Sequence, residues 1–303
     1  MGLFSRAMSS RIPRLKLYER QVGRAEALVA IAALAAWTPA GRTGGPLHPG
    51  DVGWHLRFED DLVRDSLRLW SDQSGPVAVT LSDGPVLYAG LAPRVAADRE
   101  LADMLAWRFH QIVGDGQAWC ALPEDSPVGT ALLRHDWTRD PDEPWVLLVC
   151  EDLPVSAPAG SRVVAVDEDT APARVAVQRA AFEGSTFTVE RWRAMRGSVA
   201  ASLCVESLVL TPDGQPAAAA TGWLAAPGRC ALLEPVGTHP EQRGHGYGRA
   251  AVRSVCARLR AEGASAVAVL TPATNTAAVA LYRSAGFREV AQQRPFHRPL
   301  LST

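Results

Sequence analysis

The sequence predicts an α/β protein of two domains. Three observations carry this reading. At 303 residues the chain is long for one domain. Its last third alternates strand, tight glycine loop, helix, strand, helix and strand. Its first half keeps a similar rhythm: Val86-Leu87-Tyr88-Ala89-Gly90-Leu91-Ala92-Pro93 echoes Leu233-Glu234-Pro235-Val236-Gly237-Thr238-His239-Pro240, both strands running through a glycine toward a proline and then a helix.

From the N-terminus, Arg6, Arg11, Arg14 and Lys16 precede the apolar run Ala27–Trp37. Glu19 and Glu26 interrupt the approach, no clear cleavage site follows, and the run is too short to span a bilayer. The reading is a packing helix in a cytoplasmic protein, with residues 1–49 as an N-terminal helical extension. Val77–Leu81 and Pro85–Leu91 read as strands joined by an Asp83-Gly84 turn. A helix follows over about Asp98–Val113, with Leu101, Leu105, Phe109 and Ile112 on one face. Pro144–Cys150 reads as another strand, and the Pro-rich segment from Leu153 to Gly160 as a linker. The expected boundaries are 50–153 for the first domain, 154–161 for the linker and 162–303 for the second domain.

In the second domain the apolar run Ala231–Val236 leads past Pro240 into Arg243-Gly244-His245-Gly246-Tyr247-Gly248. The glycines permit positive φ and close approach, and the helix that opens here presents unpaired backbone N–H groups and the positive end of its dipole. This is a phosphate cradle. Val252, Val255, Cys256 and Leu259 then recur at helical spacing, with Arg253, Arg258 and Arg260 on the other side, and Gly263 caps the end. Ala266–Leu270 is a short buried strand. Asn275 is a good N-cap for a helix that runs to about Ala285, before Gly286 and Phe287. After Pro93 the first half has no glycine until Gly114, so it lacks such a cradle.

Composition excludes some alternatives. The formal net charge of −1 gives no electrostatic case for nucleic acid. The only lysine is Lys16, so no P-loop Gly-Lys-[Ser/Thr] exists. A dinucleotide fold wants its glycines after the first strand, with an acidic residue about 20 residues on; here the glycines come late and that stretch holds Gly263–Val269. Cys120, Cys150, Cys204, Cys230 and Cys256 are scattered, without a Cys-x-x-Cys pair, and read as buried free thiols, with no metal site.

The cradle and its sequel resemble the GNAT superfamily of N-acetyltransferases. Arg243, Gly246 and Gly248 fit that family's [Arg/Gln]-x-x-Gly-x-[Gly/Ala] loop. Asn275, Leu281-Tyr282 and Gly286-Phe287 match its later signature. The resemblance covers roughly residues 162–292. With the echo in the first half, it implies two GNAT-like domains, each a mixed, mostly antiparallel sheet flanked by helices. The C-terminal domain has a splayed central strand pair, and the N-terminal one is degenerate, without the CoA loop.

The resemblance further implies acetyl-CoA as co-substrate. Arg243, Gly244, His245, Gly246, Tyr247, Gly248 and Arg249 would take its pyrophosphate. Backbone groups of Val236, Gly237 and Thr238 would pair with the pantetheine arm like an added strand, and the N–H near Val236 is a candidate oxyanion donor. Asn275 caps its helix and is a candidate cofactor contact. Tyr282 stands where the family places its general acid, or else packs on the sheet or hydrogen-bonds the cofactor. Glu234, flanked by Leu232, Leu233, Pro235 and Val236, is the candidate base, since apolar surroundings raise a carboxyl's pKa; the alternative is a structural or solvated glutamate. His239 and His245 read as exposed.

In the family the segment spanning about residues 171–202 lines the acceptor cleft. Glu183, Phe187 and Trp192 are its substrate candidates, although the same residues suit an amphipathic helix with a polar face. The implied activity is direct transfer of an acetyl group from acetyl-CoA to a primary amine of a small molecule. Alternatives are mycothiol-synthase-like transfer, protein or peptide acetylation, or an acyl-CoA-binding sensor with an inactive site. The expected partner is a small-molecule amine, not nucleic acid or membrane, and the chain is expected to be a monomer or homodimer.

Overall fold

Two seven-stranded sheets of one design organise the chain. The structure, a computed structural model, describes residues 16–39, 47–123, 125–140, 144–155 and 162–300. Arg6, Arg11, Arg14 and most of the expected linker lie outside the described residues.

The first domain runs β1 (Tyr18–Gln21), α1 (Ala27–Trp37), α2 (Pro49–His55), α3 (Asp60–Ser66), β2 (Leu67–Asp72), β3 (Gly75–Asp83), β4 (Val86–Leu91), α4 (Arg99–Val113), β5 (Ala118–Cys120), α5 (Pro127–Leu132) and β6 (Thr138–Arg139). After β7 (Trp145–Cys150), the second domain repeats the plan. It has β8 (Arg162–Ala165), α6 (Ala171–Ala181), α7 (Val189–Arg196), β9 (Cys204–Leu210), β10 (Pro216–Trp223), β11 (Cys230–Thr238), α8 (Tyr247–Ala261), β12 (Ala266–Pro272), α9 (Thr276–Ala285), β13 (Arg288–Gln293) and last β14 (Phe296–Arg298). In both domains the strand before the long helix runs parallel to the strand after it, β4 with β5 and β11 with β12, while the other described pairings are antiparallel. The fold is therefore the tandem of mixed, mostly antiparallel sheets that the motifs imply.

The domain boundaries read from the sequence need correction. The first sheet is ordered β1-β2-β3-β4-β5-β14-β6, and the second β8-β9-β10-β11-β12-β7-β13. Each domain thus receives its sixth strand from the other half of the chain. β7 lies between β12 and β13, with Cys150 opposite Val267 and Trp145 opposite Gln293. β14 lies between β5 and β6, with Phe296 opposite Cys120 and Arg139. Residues 1–49 are not a separate extension either. β1 forms the first sheet's edge, pairing Tyr18 with Ser71 and Gln21 with Arg68, and α1 packs onto β3 and β4.

Strand alternation places helices on both faces of the second sheet. Val209, Ala218 and Ala220 point toward α8 and share its core with Val252, Val255 and Leu259. Leu208 and Ala219 point the other way, toward Val177 of α6. On that second face α2 of the first domain lies against β10 and α7. Gly50 and Gly53, one turn apart, rest on the indole of Trp223, where a Cβ on either would come within 2.4–2.5 Å of the ring or its stem. Larger residues there would push the domains apart. The result is one continuous core containing Leu34, Val52 and Leu56 of the first domain with Val175, Phe187, Trp192 and Trp223 of the second.

Candidate active site at the junction of the two domains

β11 and β12 pair only through Cys230–Leu232 and Ala266–Ala268. Beyond Leu232 the strands separate, which is the splay the family resemblance implies. The divergence begins at a bulge. Ala220 faces Val236 and Gly222 faces Leu233, so Glu234 and Pro235 together oppose Thr221. Trp223 fixes this irregular point by donating its indole N–H to the Glu234 carbonyl at 2.8 Å.

Two cavities follow one another along β11. The first, about 620 Å³, is lined by Val236, Gly237 and Thr238, by the loop Arg243–Arg249, and by Asn275, Ala278 and Leu281. All eleven cofactor candidates named from the sequence meet on its wall. Gly244 and Gly246 have φ of +81° and +83°, a region side chains rarely adopt, and no protein atom crowds the face where a Cβ would stand. Gly246 is the N-cap of α8 and no side chain caps that helix. Its first-turn N–H groups are thus left for a ligand, and an anion is what the helix dipole favours there. Asn275 caps α9, accepting from the Ala278 N–H at 3.1 Å, while also lining the cavity.

The first domain makes the opposite choice at the equivalent place. Its α4 is capped by Asp98, which accepts from the Leu101 N–H at 3.0 Å. The protein's own carboxylate occupies the position an anionic ligand would need, so the start of α4 offers no such cradle.

The second cavity, about 530 Å³, lies between the domains. Ala231–Glu234 and Ala268–Leu270 form one wall, from the splayed strands; Trp145, Leu147 and Gln292 close one end; His48, Asp51 and Tyr88 of the first domain form the other side. Glu234 is an exposed residue whose side chain opens onto this space, with the two domains standing around it. Desolvation by the surrounding protein raises its pKa, the charge of Asp83 adds to the rise, and Arg57 and a hydrogen bond from Asp51 oppose it. Asp51 is pushed well above the ordinary carboxylate range by burial and by the charge of Glu234, although the His48 N–H holds one of its oxygens at 2.6 Å. Each carboxyl thus bears on the other's ionisation across the chamber. Asp83 stands 3.6 Å from His55 and 3.7 Å from Arg57. Burial works against its charge, but these neighbours keep its pKa below the usual value. Burial lowers Arg57 to about 10, so it remains a cation at neutral pH.

His48 anchors this wall. Its Nδ1 accepts from the Gly50 N–H at 2.9 Å, which leaves Nε2 to donate to the Cys230 carbonyl at 3.1 Å. Burial drives its pKa down to about 4, so the ring is neutral.

Other sequence candidates are placed differently. Tyr282 is buried in the core of the second domain, its ring 5.7 Å from that of Phe287, and lines neither cavity. Burial, and then the charge of Glu234, raise its phenol pKa. The acceptor-segment candidates are not on the chamber wall. Glu183 is exposed in the turn after α6. Phe187 is buried, 5.0 Å from Trp54 between ring centroids. Trp192 is buried and donates its indole N–H to Glu206 at 2.8 Å. Glu206 also binds Arg174 and Thr221, both at 3.2 Å, so this is a closed internal network, not a ligand surface. His239 is only partly exposed, and its Nδ1 is buried; His245 is exposed and stacks with Tyr247. Asp51 and Tyr88 escaped the sequence reading because nothing local ties them to Glu234. The echo of β4 with β11 was the one available hint, since it sets Tyr88 in the strand matching the one that holds Glu234.

Comparison with known proteins agrees with this geometry. The model of the acetyltransferase (GNAT) family matches residues 175–287. A GCN5-related N-acetyltransferase from Sphaerobacter thermophilus is 18% identical, with a TM-score of 0.57 over 95% of this chain and 98% of that one. A tandem GNAT protein from the clavulanic acid biosynthesis pathway is 15% identical, with a TM-score of 0.58 over 95% of this chain and 100% of that one. A GCN5-related N-acetyltransferase from Kribbella flavida is 19% identical, with a TM-score of 0.52 over 90% of this chain and 94% of that one. No curated protein matches the chain. At these identities the solved structures speak for the fold, and the family match speaks for the second domain. The chain has a tandem GNAT fold, and residues 175–287 of its second domain match the acetyltransferase (GNAT) family.

Proposed function

We propose that this protein transfers an acetyl group from acetyl-CoA to the primary amine of a small molecule, using the cradle of the second domain and the chamber between the domains. The match of the second domain to the acetyltransferase (GNAT) family implies acyl-CoA-dependent transfer. The observation that supports the finer reading is the succession of the two cavities along one strand: cradle beside Val236–Thr238, chamber beside Ala231–Glu234. Two strand residues span roughly 7 Å, so a thioester held by the first cavity would come close to an amine held in the second.

The bound cofactor supplies an activated acetyl thioester; the rest falls to side chains and backbone. The α8 N-terminus and Arg243–Arg249 hold the pyrophosphate. The backbone of β11 beyond Leu232, released from β12, offers N–H and C=O groups to the pantetheine arm, and the N–H near Val236 is placed to donate to the developing oxyanion. Glu234 takes the proton of the attacking ammonium, directly or through one water. The departing thiolate leaves along the cradle and takes its proton from solvent, Tyr282 lying off both cavities. An interior chamber of this volume suits a compact acceptor better than a folded protein. The charges around it, one shared between Asp51 and Glu234 and one each on Asp83 and Arg57, sum to a net negative site that favours a cation.

Calorimetric titration with acetyl-CoA tests the reading. One site per chain is expected, lost in Gly246→Val, where a β-branched residue must adopt φ of +83°. Two sites, or undiminished binding by the variant, would remove the cradle from the account.

A further inference from the structure

We propose that Asp51 of the first domain is a positioning residue for the transfer reaction: kept as the neutral acid, it donates a hydrogen bond to the Glu234 carboxylate and so prepares the base. The inference rests on the proposed acetyltransferase reading of this chamber and assigns part of its chemistry to the domain without a cofactor cradle.

The argument begins with geometry. Asp51 occupies the first turn of α2, and α2 is pressed onto the second sheet by the Gly50–Trp223 and Gly53–Trp223 contacts and by the His48–Cys230 hydrogen bond. Trp223 in turn holds the Glu234 backbone. Both partners of the carboxyl pair are thus fixed by the same interface, and both line the chamber. Two carboxyls facing one chamber repel when both are ionised, which favours the state in which one keeps a proton.

The surroundings decide which. Glu234 feels Arg57, a permanent cation. Asp51 is influenced by the His48 N–H and by Glu234 and Asp83, both acidic, while the neutral His48 ring brings no charge. Tyr88 and Tyr282, the other titratable groups under the influence of Glu234, are both held protonated by burial. The proton therefore resides on Asp51, whose second oxygen accepts from His48 and closes the first turn of α2. In this state Glu234 is an anion with a donor beside it. The donor moderates the rise that burial imposes, keeping the base ionised in the neutral range where it must accept the amine proton.

Asparagine is the isosteric mimic of a neutral aspartic acid: its oxygen can accept from His48 while its amide donates to Glu234. The experiment compares wild type, Asp51→Asn and Asp51→Ala by the pH profile of kcat/KM. Asp51→Asn is expected to leave the acid limb in place. Asp51→Ala, lacking a donor, is expected to move that limb up by about one pH unit, a loss of about tenfold on the acid side that recovers in alkali. A limb displaced as far by asparagine as by alanine, or a uniform loss at every pH in both, would overturn the proposal. Infrared difference spectra of the free enzyme provide a readout independent of turnover. A protonated-carboxyl band present at neutral pH and lost in Asp51→Asn is expected, and its persistence in that variant would place the proton elsewhere. If no amine is acetylated by wild type, the acetyltransferase reading falls while the infrared band still decides where the proton resides.

Discussion

Glu234 occupies a position where strand irregularity, a cavity between the domains and charge coincide. The bulge turns it out of the regular pairing, the Trp223 indole fixes its carbonyl, and the chamber receives its carboxyl. Its function as a base depends on ionisation, and Glu234→Gln removes that while keeping the size of the side chain. Turnover is expected to fall about 10²–10⁴-fold, the usual contribution of general base catalysis. Acetyl-CoA affinity should stay near normal, because the residue lies outside the cradle. Steady-state kinetics paired with calorimetry separates the two; unchanged turnover would take Glu234 out of the mechanism. The apolar neighbours that singled out Glu234 in the sequence are present, yet they account for only part of its environment. Asp51, Asp83 and Arg57 come from distant sequence, and a local reading has no access to Coulomb partners that the fold brings together. The same limit explains Trp192. Its pattern marks a helix with an aromatic on one face, but only the packed structure shows that face turned onto Glu206.

At the scale of elements, the contrast between α8 and α4 separates the two domains. Both are 15-residue helices following a strand that runs parallel to the next. One begins on a left-handed glycine with its amides open, and the other is closed by Asp98. The missing glycine loop is a local signal legible in the sequence, while the Asp98 cap emerges only in the structure. The role of α2 is not local. His48-Pro49-Gly50-Asp51 opens that helix, yet nothing in it names Trp223 or Cys230 as the surface it meets. Because docking of α2 requires a neutral His48, stability should depend on pH through this residue. Its folded pKa of about 4 lies below the unfolded 6.5. The unfolded chain therefore binds the proton first, and stability present above 6.5 is lost as pH falls toward 4. The raised carboxyls of Asp51 and Glu234 act with the opposite sign, losing stability as pH rises, so the comparison must be a difference. Relative to His48→Gln, which keeps one donor and one acceptor, wild type should lose about 2 kcal/mol more between pH 6.5 and about 4.5 in urea unfolding. Parallel curves would mean that the buried imidazole is not what acid attacks.

At the scale of the whole molecule, the exchange of β7 and β14 decides how the chain can be divided. Pro144–Cys150 was legible as a strand from its apolar run, but an apolar run fixes the kind of element and not its partner. β14 is only three residues long and gives weaker warning still. Each exchanged strand lies inside the other domain's sheet, hydrogen-bonded on both sides. Phe296 is fully buried there against Gly129, and Val146, Leu148 and Cys150 belong to the core beneath α8. A fragment of residues 156–303 would lose β7 from inside its sheet, leaving β12 and β13 with open edges and a core lacking Val146, Leu148, Cys150 and Leu153. A fragment of residues 1–155 would suffer the same loss of Phe296 and β14. Neither half is therefore expected to fold alone, and each should aggregate through its unpaired strands. Produced together as two chains cut between residues 155 and 156, they should associate, because every pairing of the intact protein remains available without the covalent link. Size-exclusion chromatography and circular dichroism of the separate and co-expressed fragments check this. A lone second domain that is folded and monomeric would show that the exchanged strands are dispensable. Association of the pair, with acetyl-CoA binding restored only in the complex, would show that the degenerate half is retained because the working half cannot complete its sheet or its chamber without it.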